Sequence, residues 1–230
     1  MSPQARCRTI LTPGSNDAID TRLRDTLAPA RDAPIARTSI LAKNPGATPM
    51  NLINLQRSTL VLVDYQQRLL PALHGGTEAL AQATLLADIA RDLGVAVIGT
   101  EQYPQGLGPN HEAIRTRCDH TLSKLHFDAC ADGLLEQLPP ATASHPREVV
   151  VAGCEAHVCL MQTALGLLDA GLRVWVVAPA CASRVADNHA LAMQRLQSAG
   201  AGIVSVEMVG FEWLRSCEHA QFKQVLKRLK

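Results

Sequence analysis

The stretch VVVAGCEAHVCLMQTALGLLDAG, Val149 to Gly171, decides how this chain folds. Its first five residues are an uninterrupted apolar run, the mark of a strand buried on both faces. Its second half repeats apolar residues at helical spacing and stops at Gly171, a residue suited to the end of a helix. Between them, Cys154, Glu155, His157 and Cys159 crowd the turn where the strand becomes a helix. Such a turn can hold a metal knuckle, a redox pair, a nucleophile at a helix N-terminus, or simply well-packed small side chains.

The same alternation runs outward in both directions. STLVLVD (58–64) reads as a buried strand ending in an acid, and 77–93 as a helix with Thr77 at its N-cap and Gly94 beyond its end. VAVIGT (95–100) is a second strand, followed by a Gly/Pro loop at 101–109 and a helical stretch at 110–118. HTLSKL (120–125) is a weaker strand and 131–138 a short helix. REVVVAG (147–153), LRVWVVA (172–178) and AGIVSV (201–206) complete six strands, with helices over 156–170, 187–199 and 211–229. Strands alternating with helices predict an α/β fold: a three-layer α/β/α, Rossmann-like domain on a six-stranded, mostly parallel sheet.

The chain is 230 residues long, 47% hydrophobic and 19% charged, with a net charge of +1. That suits one domain with a full core. No basic block or aromatic RNA-binding pattern is present, so nucleic acid is not expected as a partner. No apolar run reaches the ~20 residues of a membrane span. The seven cysteines, at 7, 118, 130, 154, 159, 181 and 217, are odd in number and irregularly spaced. They fit a reducing, cytoplasmic compartment better than a disulfide framework. Residues 1–50 differ from the rest. They hold six of the thirteen prolines and seven basic residues against four aspartates. They read as a flexible Pro/Arg-rich arm ahead of a domain over 51–230. The alternative is that the translated protein starts at Met50.

Ligands of parallel sheets bind beyond the carboxyl ends of the strands. That rule selects Asp64, Glu101 and Gln102, Lys124, Cys154 to Cys159, and Cys181 to Arg184. Asp64 is either a turn cap or a carboxylate placed for proton transfer. Lys124 matters only if it stands beside a thiol, where an ammonium favours thiolate. Cys159, in the first turn of a helix, is either a small hydrophobe or a thiol acidified by the helix dipole. Cys154, His157 and Cys159 have metal-ligand chemistry, but no fourth ligand is spaced nearby. No phosphate-loop glycine pattern occurs.

Three ordered motifs carry a resemblance: LVLVDYQ at Asp64, LSKLHFDA at Lys124, and VVVAGCEAHVCLMQTALGLLDAGLRVWVVAPACASR at Cys159. Together they resemble the isochorismatase-like cysteine hydrolases over about residues 55–215. TEQYPQGLGP and RLQSAGAGIVSVE are similar to the branch of isochorismatase domain-containing proteins. The resemblance implies a catalytic Asp64, Lys124 and Cys159. It also implies a non-proline cis peptide between Cys154 and Glu155, and an oxyanion hole from the backbone amides of Glu155 and Cys159. A substrate pocket would include Gln66, Gln102, Tyr103, Phe127 and His157. Relatives of the nicotinamidase type carry Asp-x-His where this chain reads Glu101-Gln102-Tyr103-Pro104, so no metal and no cofactor are expected. Relatives that cleave a vinyl ether lack the cysteine.

The expected activity is therefore hydrolysis of a small amide or related carbonyl compound through a thioester, by a homo-oligomeric enzyme. A non-catalytic binding or scaffold protein with the same fold, or a thiol redox sensor using Cys159 and Cys154, are the alternatives. The helix N-terminus and Lys124 are expected to bring the Cys159 thiol into the upper half of the ~3.5–7.5 range of activated cysteines.

Overall fold

The computed structural model describes residues 52–140 and 147–230. The expected arm at 1–50 lies outside the described residues. The strands are β1 (Ser58–Val63), β2 (Ala96–Gln102), β3 (His120–Lys124), β4 (Glu148–Gly153), β5 (Arg173–Val177) and β6 (Gly202–Val204). They form one sheet in the order β3-β2-β1-β4-β5-β6, and every pairing is parallel. Every residue of β1 and β4 is buried, which is why these two strands read as unbroken apolar runs. The edge strand β3 is mostly exposed, and its sequence is correspondingly polar.

The helices are α1 (Gly76–Asp92), α2 (Pro104–Leu107), α3 (Glu112–Arg115), α4 (Leu134–Gln137), α5 (Met161–Asp169), α6 (Ala186–Ser198), α7 (Val206–Leu214) and α8 (Phe222–Leu229). The chain winds from β1 outward to β3, then crosses back to β4 and winds outward to β6. Right-handed crossovers in opposite directions put α1 on one face and α5 and α6 on the other. α7 and α8 pack with α1. The winding reverses between the neighbours β1 and β4, so the crevice of this fold opens at their carboxyl ends.

Several boundaries differ from the sequence reading. α1 starts at Gly76 and is capped by Gly75 in a left-handed conformation, so Thr77 is inside the helix. Leu70 explains it: a Cβ at Gly76 would lie 2.6 Å from its carbonyl oxygen, so that turn is built around a glycine. β2 runs on to Gln102, which is in register with Lys124, and a short α2 fills the supposed loop. The helix expected over 110–118 contracts to α3, and the tail divides into α7 and α8. The helix expected over 156–170 opens with a π turn, Ala156–Leu160, before α5.

A second buried polar cluster lies at the opposite end of the sheet. Glu148, fully buried at the start of β4, is 2.6 Å from Arg57 and 3.6 Å from Arg173. It also accepts from the Trp175 indole at 3.2 Å and the Asn54 amide at 3.0 Å. A buried carboxylate persists only with such partners, and this one ties the start of β4 to β5 and to the entry of β1.

Candidate active site

Three strand ends meet at the crevice. Asp64 follows β1 with a left-handed backbone (φ 54) and no exposed surface. Its Oδ1 accepts from Thr100 Oγ1 at 2.7 Å, and its amide donates to the Thr100 carbonyl at 3.2 Å. Its Oδ2 is 2.8 Å from Lys124 Nζ. That contact is an ion pair by distance, although the approach is off the hydrogen-bonding direction.

Lys124 ends an edge strand, yet its side chain runs inward across β2 and is fully buried. Besides Asp64, the ammonium meets Gln102 Oε1 at 2.7 Å and the carbonyls of His126 and Phe127 at 3.3 Å each. Three protons face four oxygens, which accounts for a charge buried at this position. The turn carrying those carbonyls is held by Asp132, whose Oδ2 accepts from the amides of Leu125 and His126 at 2.8 Å each.

Cys159 sits in the π turn, 6% exposed, with its thiol 3.9 Å from Gln102 Oε1. Burial first and the Asp64 carboxylate second, only partly offset by Lys124, together push the thiol up to about 12. This runs against the expected acidic thiol: burial favours the neutral form of Cys159. Lys124 is present, but its charge is already matched by Asp64, and desolvation outweighs what remains.

The peptide between Cys154 and Glu155 is cis. The turn it begins is fastened to residues 182–184. Cys154 bridges Ala182 as a parallel partner, and the Ala156 amide donates to the Ala182 carbonyl at 2.8 Å. Glu155 takes Arg184 through both carboxylate oxygens, with Nη2 at 2.6 Å and Nε at 3.0 and 3.2 Å. His157 Nδ1 is 3.0 Å from Ser183 Oγ.

The five residues expected to line a pocket have different fates. Gln66 is fully buried and its amide is spent on backbone. It accepts from the Gln102 amide at 3.0 Å and donates to the carbonyls of Gln102 (3.0 Å) and Gly108 (2.6 Å). It positions Gln102 and has nothing left for a substrate. Gln102 faces both Lys124 and Cys159. Tyr103 and Phe127 are about half exposed beside the site, and Leu125 more so. His157 is engaged by Ser183. Arg184, Asp132 and Thr100 belong to the site without having been given a role from sequence. Only the strand-end rule pointed at Arg184, and nothing local marks the other two. Among the described residues, no group of three or more His, Cys, Asp or Glu side chains is placed to hold a metal ion.

Comparison with known proteins agrees with this architecture. The isochorismatase domain model matches residues 58–208. Isochorismatase domain-containing protein 2 of Rattus norvegicus is 33% identical over 177 residues, covering 76% of this chain and 82% of the relative. Its Homo sapiens counterpart is 34% identical over 175 residues, covering 75% and 83%. Among solved structures, the MAR1 ribonuclease of Caenorhabditis elegans superposes with a TM-score of 0.72 at 30% identity, covering 78% of this chain and 92% of the other. The YcaC gene product of Escherichia coli, described as an octameric hydrolase of unknown specificity, shares the fold with a TM-score of 0.70 at 19% identity, covering 79% and 92%.

Proposed function

The chain belongs to the isochorismatase family, and from that premise we propose that it is a cysteine hydrolase of small amides or related carbonyl compounds. The family and fold support hydrolase chemistry. The observation that carries the finer reading is geometric: Lys124 Nζ lies 2.8 Å from Asp64 Oδ2 and 2.7 Å from Gln102 Oε1, and the same Oε1 is 3.9 Å from the Cys159 thiol.

A neutral thiol requires its base at the moment of attack. Asp64 takes the Sγ proton as the sulfur–carbon bond forms, and the negative charge moves from the carboxylate to the substrate oxygen. The backbone amides of Glu155 and Cys159 receive that oxyanion. Lys124, set among acceptor oxygens, steadies the anion on either side of the transfer. Asp64 then gives its proton to the leaving amine as the carbon–nitrogen bond breaks. Water, deprotonated by Asp64, cleaves the thioester and restores the thiol. No step needs a metal or cofactor, and turnover is expected to survive chelators.

The experiment is a panel of small amides incubated with the protein and read by intact mass. An acyl adduct that Cys159→Ser abolishes, together with turnover, is the expected result. Neither adduct nor turnover across the panel would favour a binding protein. The redox alternative pairing Cys159 with Cys154 is disfavoured, because Cys154 is fully buried. Although one relative is described as a ribonuclease, the balanced charge of this chain favours a small neutral substrate, and no RNA cleavage is expected. We infer a cytoplasmic homo-oligomer. Among the described residues no helix is long and apolar enough to cross a membrane.

A further inference from the structure

We propose that Glu155 and Arg184 are a positioning pair that aims the oxyanion-binding amides. The proposal rests on the nucleophile reading above and adds to it a residue from another strand end. Glu155 is fixed at three points. Its carbonyl accepts from the Val158 amide at 3.0 Å and the Leu160 amide at 3.3 Å, which closes the π turn. Its peptide with Cys154 is held through the bridge to Ala182. Its carboxylate, 5% exposed, takes three hydrogen bonds from the Arg184 side chain and a fourth from the Arg184 amide at 2.9 Å.

The segment that does the holding is itself held. Ser183 pairs with His74, whose amide donates to the Ser183 carbonyl at 3.0 Å, so residues 182–184 are gripped from the α1 side as well. Rotating the Glu155 peptide would have to break the carboxylate–guanidinium fork. Arg184 itself is 65% exposed, so it contributes little packing. Its fork fits a positioning role, since a planar guanidinium fixes direction as well as distance. The Arg184 side chain acts on the reaction only through Glu155.

The test separates two reactions of one thiol. Acylation by p-nitrophenyl acetate passes through a tetrahedral oxyanion. The Sγ–carbon bond forms, the thiol proton passes to Asp64, and p-nitrophenolate leaves. Alkylation by iodoacetamide displaces iodide and makes no oxyanion. Both adducts on Cys159 are followed by peptide mass spectrometry in the wild type, Arg184→Ala, Arg184→Lys and Glu155→Gln/Arg184→Ala. The double variant leaves no unpaired carboxylate buried and serves if Arg184→Ala does not fold. The expected result is acylation slowed by about 10²-fold in the Ala variants, with alkylation within a factor of a few, and partial recovery in Arg184→Lys. Unchanged acylation, or equal losses in both reactions, overturns the positioning role. A wild-type protein that alkylates but never acylates at Cys159 defeats the nucleophile reading itself, and the pair's role with it.

Discussion

Lys124 Nζ lies 2.8 Å from Asp64 Oδ2, with neither side chain exposed, although the two residues come from strands separated by β2. This pair decides how the thiol beside it behaves. A free ammonium would stabilise a thiolate. An ammonium already matched by a carboxylate leaves burial in control, and burial favours the protonated thiol of Cys159.

It follows that Cys159 alkylates slowly near neutral pH. In iodoacetamide labelling, the exposed Cys217 is expected to react first among the cysteines of the described residues, and Cys159 to accelerate only well above the ordinary thiol range. Asp64→Asn removes an anion and speeds Cys159 labelling while abolishing turnover. Lys124→Ala removes the ammonium that offsets burial of the thiol and slows labelling. Rates by peptide mass spectrometry across pH check both signs.

Gln66→Leu is expected to destabilise the protein by about 2–3 kcal/mol. It leaves the Gln102 amide, the Gln102 carbonyl and the Gly108 carbonyl without their partner. Urea unfolding measures the loss. Turnover of whatever amide the panel identifies should fall as well, because Gln102 is no longer held against Lys124.

Acid should unfold the domain in a defined window. Hydrogen bonding to Arg228 holds Asp92 below the ordinary carboxyl value of 3.8. Burial raises Glu155, but its bonds to Arg184 outweigh it and leave the group below 4.5. Carboxyls lowered on folding contribute stability that is complete above their unfolded values and lost as pH falls through the folded ones. Melting temperatures should therefore be flat from about pH 7 to 5 and fall below about pH 4. Arg228→Ala should blunt the fall.

Glu148→Gln should cost about 3–5 kcal/mol in chemical unfolding, since it leaves the partly buried Arg57 and Arg173 without a counter-charge. The candidate active-site crevice lies at the other end of the sheet, so Cys159 labelling in the folded variant should be unchanged.

Deleting residues 1–49 should leave the melting temperature and turnover within error, as the reading of this proline- and charge-rich stretch as an arm predicts. Thermal unfolding of the truncated and full chains, side by side, makes the comparison.

The order of strands and helices was legible in the sequence because the signals are local: apolar runs for β1 and β4, helical periodicity after Cys159, a glycine past a helix end. The strand-end rule and the motif resemblance together named Asp64, Lys124 and Cys159, and the fold brings these three to one crevice. The boundaries that moved were set by contacts across the sheet, as where β2 continues to Gln102 to match Lys124. The fate of each polar side chain was not legible. Gln66 and Gln102 are the same residue type near the same strand ends, yet one is consumed by backbone and the other faces the thiol. Glu155 and Arg184 stand 29 residues apart with no periodicity to link them. The protonation state of Cys159 was decided last of all. Sequence shows which charges are available, but desolvation depends on what fills the space around the sulfur, and only the packed tertiary structure fixes that.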